Sequence, residues 1–444
     1  MNINKGAEKI INILEDNGYE AYAVGGCIRD TLMGKIPNDW DITTNCMPDD
    51  MIRCFDGYRI IDTGLKHGTV TVLIDGQGYE VTTYRQDGEY TDNRHPDQVT
   101  FVTDLASDLS RRDFTINAMA YNHKRGLVDL FGGKEDIEKK IIRCVGSPEK
   151  RFSEDALRIL RALRFASVLD FSIDQATSQA ILDLKDSLDN ISKERINVEF
   201  TKLLCGKRNV EIIRDYFDVI CVFIPEMKPM KGFDQKTRWH IYDVLEHTLH
   251  SLQYTNDDFI VKMTMLLHDI GKPHMFTMDE RGGHFFGHQA ESGKMAREIL
   301  NRLRYDKNTT STIVKLICEH DNRFDSNPKK IKRMLNKLGL DDTRRLIVIQ
   351  KADNLSQNPE FVRNGMLALI ESEKIIDKII EEGQVFSLAQ LAISGKDLID
   401  MGLKPGPEVG LILQTLLEDV SDGNLENSKD VLCGEVLKYL KKQV

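Results

Sequence analysis

GGCIRDTLMGKIPNDWDITT, residues 25–44, holds a glycine pair, a short helix-forming run and two aspartates separated by one tryptophan. In an extended strand, residues i and i+2 share a face. Asp39 and Asp41 therefore set two like charges side by side, which packing does not reward. Two readings are open. The pair is a solvated strand end, or it holds a divalent cation that turns the repulsion into attraction. A metal site for phosphoryl transfer usually draws a third carboxylate from a neighbouring strand. Glu80, in YEVTTYR (79–85), stands where such a strand is expected.

Working outward, YEAYAVGG (19–26) reads as a strand entering a glycine turn, with a helix starting near Cys27. Gly25 and Gly26 either make a tight turn or leave backbone N–H groups facing a phosphate at the helix start. Arg29 and Asp30 follow as an in-helix charge pair, with Arg29 within reach of the same phosphate. Residues 1–17 form an amphipathic helix that Asn17-Gly18 stops. GTVTVLIDGQGYEVTTYR (68–85) is a hairpin turning at Asp75-Gly76-Gln77-Gly78. Residues 86–98, QDGEYTDNRHPDQ, are polar and turn-rich and read as a loop carrying Asp87, Glu89, Arg94 and Asp97. From about residue 107 the pattern is almost wholly helical. SEDALRILRALRFASVL (153–169) has helical apolar spacing, with Ser153 as its N-cap.

The bulk numbers agree with a globular chain. It has 444 residues, 41% hydrophobic and 29% charged, with a net charge of −10. That length suggests two to four domains. An acidic total argues against a protein coated in nucleic acid but allows a local basic groove. The eight cysteines are scattered without a CxxC pair, so free thiols are expected. The N-terminus has no signal-peptide core and no run is long enough for a membrane span, so a cytoplasmic location is expected.

The first stretch does not stand alone. RRDFTINAMAY (111–121), LVDLFGG (127–133), RFSEDALRILRALRFA (151–166) and ISKERINVEF (191–200) follow it in order, and LAISGKDLIDMGLKPGPEVGLIL (391–413) lies near the end. The whole set resembles the class II tRNA nucleotidyltransferase and poly(A) polymerase family. The resemblance implies an α/β head with a polymerase-β-like mixed sheet, followed by a long all-α body. It implies CTP and ATP as nucleotides, tRNA as partner and Mg²⁺ at Asp39 and Asp41 with Glu80 in support. It also implies sugar and phosphate contacts from Arg111, Arg112, Asp113 and Asn117, beside Gly25, Gly26 and Arg29. The presence of the 86–98 loop argues against members that add only CC.

Asp155 and Arg158 are three apart, which on a helix puts both on one face. They form either an ordinary salt bridge or a reader of the base edge. A carboxylate accepts from the exocyclic amine of cytosine or adenine, and a guanidinium donates to the ring atom beside it. Uracil and guanine would set a carbonyl against the carboxylate. Arg161 and Arg164 extend the basic face, towards phosphate or simply towards solvent.

In the body, His247, the adjacent His268 and Asp269 of LLHDIGKP (266–273), His288, His320 and Asp353 follow in series, each in an expected helix. The H…HD…H…H…D order resembles the HD superfamily of metal-dependent phosphohydrolases. Imidazole with carboxylate suits Mn²⁺, Ni²⁺, Fe²⁺ or Zn²⁺. The alternative is a relic that merely packs. Lys272 either meets phosphate or ends the helix, and His240, His250, His274 and His284 read as core or surface.

The expected domains are a head (1–145), a helical base-recognising neck (146–225), an HD-like domain (226–360) and a helical tRNA-binding tail (361–444). The leading expectation is CCA addition to tRNA. Its rivals are an A-adding or poly(A) polymerase, a phosphodiesterase or phosphatase acting through the His/Asp series, and a non-catalytic RNA-binding module.

Overall fold

The computed structural model describes residues 1–62, 64–65, 68–87, 99–280 and 282–442. The chain divides into two compact units, Met1–Pro225 and Glu226–Val444.

In the first unit the strands are β1 (Ala21–Val24), β2 (Asp41–Thr44), β3 (Arg59–Ile61), β4 (Thr69–Ile74), β5 (Gln77–Thr83), β6 (Arg85–Asp87), β7 (Val99–Phe101), β8 (Met119–Asn122), β9 (Gly126–Asp129) and the short parallel pair β10 (Ile141–Ile142) and β11 (Ser172–Ile173). Among the described residues, seven of them form one sheet in the order β3-β4-β5-β2-β1-β8-β9, and β6 pairs with β7. The pairing of β2 with β5 is parallel, and the other neighbours in that sheet are antiparallel. All four residues of β1 are buried. Ala21 and Ala23 join a core with Ile10, Ile11 and Leu14 of the first helix, Lys5–Asp16, while Tyr22 and Val24 join a second core with Tyr84 and Leu109. Alternate side chains of one strand thus feed cores on both faces of the sheet. The expected hairpin is present, with Asp75 and Gly76 both at positive φ. This is the backbone that a two-residue hairpin turn demands.

Three expectations need correction. Helix does not take over at residue 107, because β8 and β9 complete the head sheet after that point. These strands are four residues each, too short for periodicity to reveal, and β8 finds its partner β1 almost a hundred residues upstream. Ser153 is not an N-cap. It lies inside the helix Pro148–Glu154, whose cap is Ser147 with Oγ accepting from the Lys150 amide at 3.2 Å. The next helix, Leu157–Leu169, is a separate element. The body also carries a small antiparallel ribbon, Thr277–Asp279 with Gly282–His284. Of the 86–98 loop, residues 86–87 belong to β6, and 88–98, with Glu89, Arg94 and Asp97, lie outside the described residues.

In the second unit the helices Val244–Gln253, Phe259–Leu267, Lys307–Glu319 and Leu340–Leu355 pack together, with His288–Arg302 against Lys307–Glu319. The helix Pro359–Glu381 packs on Leu340–Leu355. Leu391 to Val436 contribute a separate apolar core. Among the described residues no disulfide joins the cysteines. Among the described residues no helix is long and apolar enough to cross a membrane.

Candidate active site and candidate metal centre

The head site begins with Trp40. It is buried, and its neighbours Asp39 and Asp41 are both exposed, so the two carboxylates leave the chain opposite to the indole. Only Asp41 belongs to β2; Asp39 lies two residues before it, outside the strand. Parallel pairing places Asp41 directly beside Glu80. Partial desolvation, though the side chain still reaches solvent, and then the charge of Glu80 push the Asp41 carboxyl above its ordinary value; Arg112 opposes this and Asp39 adds to it. Crowded carboxylates of this kind are what a divalent cation requires, so the residues present fit Mg²⁺.

Gly25 sits at φ +83° immediately before the helix Gly26–Leu32, and a Cβ there would come within 3.2 Å of an Arg112 terminal nitrogen. Both facts call for glycine. They also set Arg112 beside the turn expected to face phosphate. Arg112 is held from below by Asp108 at 3.3 Å, and Arg111 donates to the same carboxylate at 2.7 Å. Arg29 donates to Asn117 Oδ1 at 2.7 Å as well as to Asp30 at 2.9 Å, and Asn117 donates to Asp113 at 3.1 Å. The LVDLFGG stretch is structural here. Asp129 caps the helix Gly133–Lys139 by accepting from the amides of Gly133 and Lys134, both at 2.8 Å. A Cβ on Gly133 would meet the Thr115 carbonyl at 2.2 Å, so the helix start must be bare to lie against residues 115–117.

The base-reading pair is arranged differently from the expectation. The helix breaks at Asp155, whose backbone is extended (φ −141°, ψ 103°). Asp155 and Arg158 therefore do not share a helix face. The carboxylate of Asp155 caps the second helix by accepting from the Leu157 amide at 3.1 Å, and it takes a bond from Arg195 at 2.9 Å. Arg158 donates to Glu154 at 2.7 Å and to the carbonyls of Arg151 and Arg111. Arg161 and Arg164 do not form a solvated basic face. Arg161 donates twice to Asp113, at 2.8 and 2.6 Å, and Arg164 pairs with Glu199 at 2.6 Å. Burial resists ionisation of Asp113, yet the Arg161 and Arg158 charges hold it down to about 2. Arg195 was not singled out from sequence, since its partner lies 40 residues away.

In the second unit all six candidates of the His/Asp series come together. His247 Nε2 is 3.0 Å from Asp353 Oδ1, His268 Nε2 is 3.1 Å from Asp269 Oδ2, and His288 Nε2 is 3.3 Å from both Asp269 Oδ1 and His320 Nε2. His247, His268 and Asp353 form one compact triad, and His268, Asp269 and His320 form a second. The expectation that each stands within a helix is corrected. His268 and His320 are the C-terminal caps of Phe259–Leu267 and Lys307–Glu319, Asp269 follows in a turn, and His288 opens His288–Arg302. The helix ends have a use. Nδ1 of His268, His288 and His320 is bonded to the carbonyl three residues before it, Met265, Phe285 and Ile317, at 2.7, 2.9 and 2.6 Å. With Nδ1 donating to a backbone carbonyl, each ring is turned so that Nε2 faces the cluster, the orientation metal-ligating histidines use. Buried and without well-aligned hydrogen bonds are Nε2 of His268 and both oxygens of Asp269. The Lys272 ammonium already meets Oδ2 of Asp269, while Oδ1 faces Nε2 of His288 and His320 at 3.3 and 3.7 Å, a grouping of ligand-type atoms that a metal could complete. The donor set of imidazoles and carboxylates fits Mn²⁺, Ni²⁺, Fe²⁺ or Zn²⁺.

Two cations stand beside the cluster. Lys272, at the start of the turn Lys272–His274, lies 2.7 Å from Asp269 and donates to Gln235 Oε1 at 2.9 Å. Arg323 donates to Asp353 at 2.5 Å. Burial opposes ionisation of both aspartates, but His268 and Lys272 hold Asp269, and Arg323 and His247 hold Asp353, well below the usual carboxylate range. His240, expected as core or surface, lines a cavity together with Asp269, His288, His320 and Asp353, its ring 4.7 Å from that of His247. Its lone position in a polar stretch offered no signal.

The family described as "Poly A polymerase head domain" matches residues 21–143. "Probable RNA and SrmB- binding site of polymerase A" matches 170–227, and a "tRNA nucleotidyltransferase domain 2" matches 284–436. A CCA-adding enzyme of Leuconostoc mesenteroides is 34% identical over 440 residues, covering 98% of this chain and 97% of that protein. One from Lactobacillus helveticus is 35% identical over 438 residues, covering 98% and 96%. The crystal structure of the Bacillus stearothermophilus CCA-adding enzyme in complex with CTP superposes with a TM-score of 0.72 at 28% identity, covering 98% of this chain and 97% of that one. On this evidence the chain belongs to the class II tRNA nucleotidyltransferase and poly(A) polymerase family, together with the CCA-adding enzymes.

Proposed function

We propose that this chain adds CCA to tRNA 3′ ends from CTP and ATP, without a nucleic-acid template, at the site around Asp39, Asp41 and Glu80. The observation that carries the reading is the register of β2 with β5, which aligns Asp41 and Glu80 beside a glycine turn backed by Arg112. Bound Mg²⁺ would supply the positive charge that favours a reactive 3′-hydroxyl and a departing pyrophosphate. Asp39, Asp41 and Glu80 would hold that charge in place. Gly25, Gly26, Arg29, Arg111 and Arg112 orient the triphosphate, while Asp113 and Asn117 keep the arginines in position. The 3′-oxygen bonds to the α-phosphorus as the bond to pyrophosphate breaks, and the hydroxyl proton leaves to solvent. The direct test supplies tRNAs ending at the discriminator base, at C and at CC with labelled CTP or ATP. Growth of the first two with CTP and of the third with ATP is expected. Growth of the CC-ended tRNA alone would instead favour the A-adding rival.

Base choice is assigned to Asp155 and Arg158. The carboxylate, oriented by Arg195, accepts from the exocyclic amine, and the guanidinium donates beside it. Asp155→Ala removes the attractive and the repulsive element together. Discrimination of CTP over UTP should fall by about ten- to a hundredfold, the worth of a charged hydrogen bond. Competition between labelled CTP and UTP measures it. Unchanged selectivity in a folded variant would reduce Asp155 to a helix cap paired with Arg195.

The His/Asp cluster supports a second activity, hydrolysis of phosphate esters at damaged RNA ends such as a 2′,3′-cyclic phosphate. A bound transition metal would supply Lewis acidity next to the phosphate. Water adds across one P–O bond: its oxygen joins phosphorus, and the released ribose oxygen takes the proton. Lys272 and Arg323 bring cationic charge to the place where the phosphate would lie. An HD-like domain around this cluster and a tRNA-gripping tail after it belong to the same proposal.

A further inference from the structure

The cavity over the His/Asp cluster is larger and more aromatic than phosphate chemistry alone requires. It has a volume of about 740 Å³, and its lining includes Trp239, Phe286 and Phe361 as well as Asp269, His288, His320 and Asp353. A volume of that order suits a ligand the size of a nucleoside phosphate. Trp239 is 43% exposed and Phe286 is 77% exposed, although both are large apolar rings. Trp239 is not loose. Its ring lies 4.2 Å from that of Phe361, and the Arg238 guanidinium stands 4.8 Å from its centroid. Its backbone is tied down as well: the Asn358 amide donates to the Trp239 carbonyl at 2.8 Å, and the Asn358 side chain donates to the Arg238 carbonyl at 3.0 Å. An indole in a turn, held against the start of the helix Pro359–Glu381, with exposed surface along a cavity that ends in ligand-type residues, has the properties of a stacking platform for a nucleobase. Asn354 lines the same cavity, nine-tenths buried, with its side-chain carbonyl unpartnered.

We infer that Trp239, backed by Phe361, is the specificity-determining contact of this cavity, and that it selects phosphoesters carrying a nucleobase by stacking on that base. The inference rests on the phosphoesterase reading of the His/Asp cluster and adds the substrate class to it. The base stacks on the indole, and the phosphate reaches the end of the cavity where Lys272 and the ligand residues lie. Phosphoesters without a base lack the anchor and bind only through phosphate.

The experiment compares 2′,3′-cyclic AMP with glycerol 1,2-cyclic phosphate, which has the same type of ester and no base, using the full chain loaded with Mn²⁺. In Trp239→Ala, kcat/KM for cyclic AMP should fall about ten- to a hundredfold, mostly through KM. Turnover of the base-free ester should be unchanged, and Trp239→Phe should restore most of the loss. Equal losses on both esters, or none on either, would overturn the inference. A binding readout keeps the test independent of turnover. The chain has two tryptophans, and Trp40→Phe leaves Trp239 as the sole indole. Quenching of its fluorescence by cyclic AMP, absent with the glycerol ester, supports stacking even if no metal gives hydrolysis, in which case the phosphoesterase reading alone fails. Absence of quenching by either ester overturns the stacking inference.

Discussion

Asp41→Ala should abolish the addition of both CTP and ATP while leaving the fold intact. Asp41 stands beside Glu80 on paired strands, and the other residues of β2, Ile42, Thr43 and Thr44, carry no charge to replace it. Metal-borne stabilisation of phosphoryl transfer is worth several kcal/mol, and each 1.4 kcal/mol is tenfold in rate, so the loss should be about a thousandfold or more. Asp39→Ala should behave in the same way. The stability effect has the opposite sign. The carboxyl of Asp41 is raised in the folded protein by desolvation and by Glu80. A raised carboxyl binds more protons folded than unfolded, so its contribution to stability falls as pH climbs past the ordinary carboxylate value. At neutral pH without metal, Asp41→Asn should therefore melt at or above the wild-type temperature, and Mg²⁺ should raise the wild-type midpoint but not that of the variant. Calorimetry with and without Mg²⁺, beside a labelled-nucleotide assay, checks both halves. Near-normal addition by folded Asp41→Ala would remove the metal-site assignment.

Replacing His268 and Asp269 together by alanine should end phosphoesterase activity, by about a thousandfold or more, and leave nucleotide addition largely intact. His268 and Asp269 share one of the compact triads, and Asp269 is within 3.7 Å of His320 and 3.3 Å of His288. Its removal dismantles the cluster. Separability follows because the carboxylates of the head and this cluster lie in different compact units. The fold of the second unit is under some risk, since Lys272 loses its buried counter-charge, a change of the kind that costs about 3–5 kcal/mol. His320→Ala is the gentler companion: it removes one ligand, keeps the Lys272–Asp269 pair, and should lose most of the metal. Assays with Mn²⁺, Ni²⁺ and Co²⁺ on cyclic AMP and on cyclic-ended tRNA, with elemental analysis of the purified protein, decide the matter. If no metal is bound and none supports turnover, the cluster is a packing scaffold.

Particular residues show what sequence alone could reveal. The strand, glycine turn and helix around Gly25 were legible because positive φ and apolar runs leave local marks. The His/Asp series was legible because its residue types are rare in helical cores and came in order. What escaped depends on distance along the chain. β8 and β9 are recognisable only beside β1. The break at Asp155 interrupts an apolar pattern that reads through it, and it persists because Asp155 caps the following helix and meets Arg195 from another helix. Arg161 and Arg164 read as a basic face, yet their carboxylate partners were hidden in separate motifs. Trp239 acquires meaning only once Phe361 is beneath it.

The position of Asp155 has an evolutionary consequence. Two of the carboxylates assigned to catalysis, Asp41 and Glu80, stand on central, paired strands of the head sheet, where most substitutions would be lethal to activity. The residue assigned to base choice occupies a single extended link between two helices, steadied by one guanidinium from elsewhere. Lineages could therefore drift in nucleotide preference through changes at the link and its tether without passing through inactive ancestors. A laboratory selection for an altered tail sequence would find its first successes at Asp155, Arg158 and Arg195, and would leave β2 and β5 untouched.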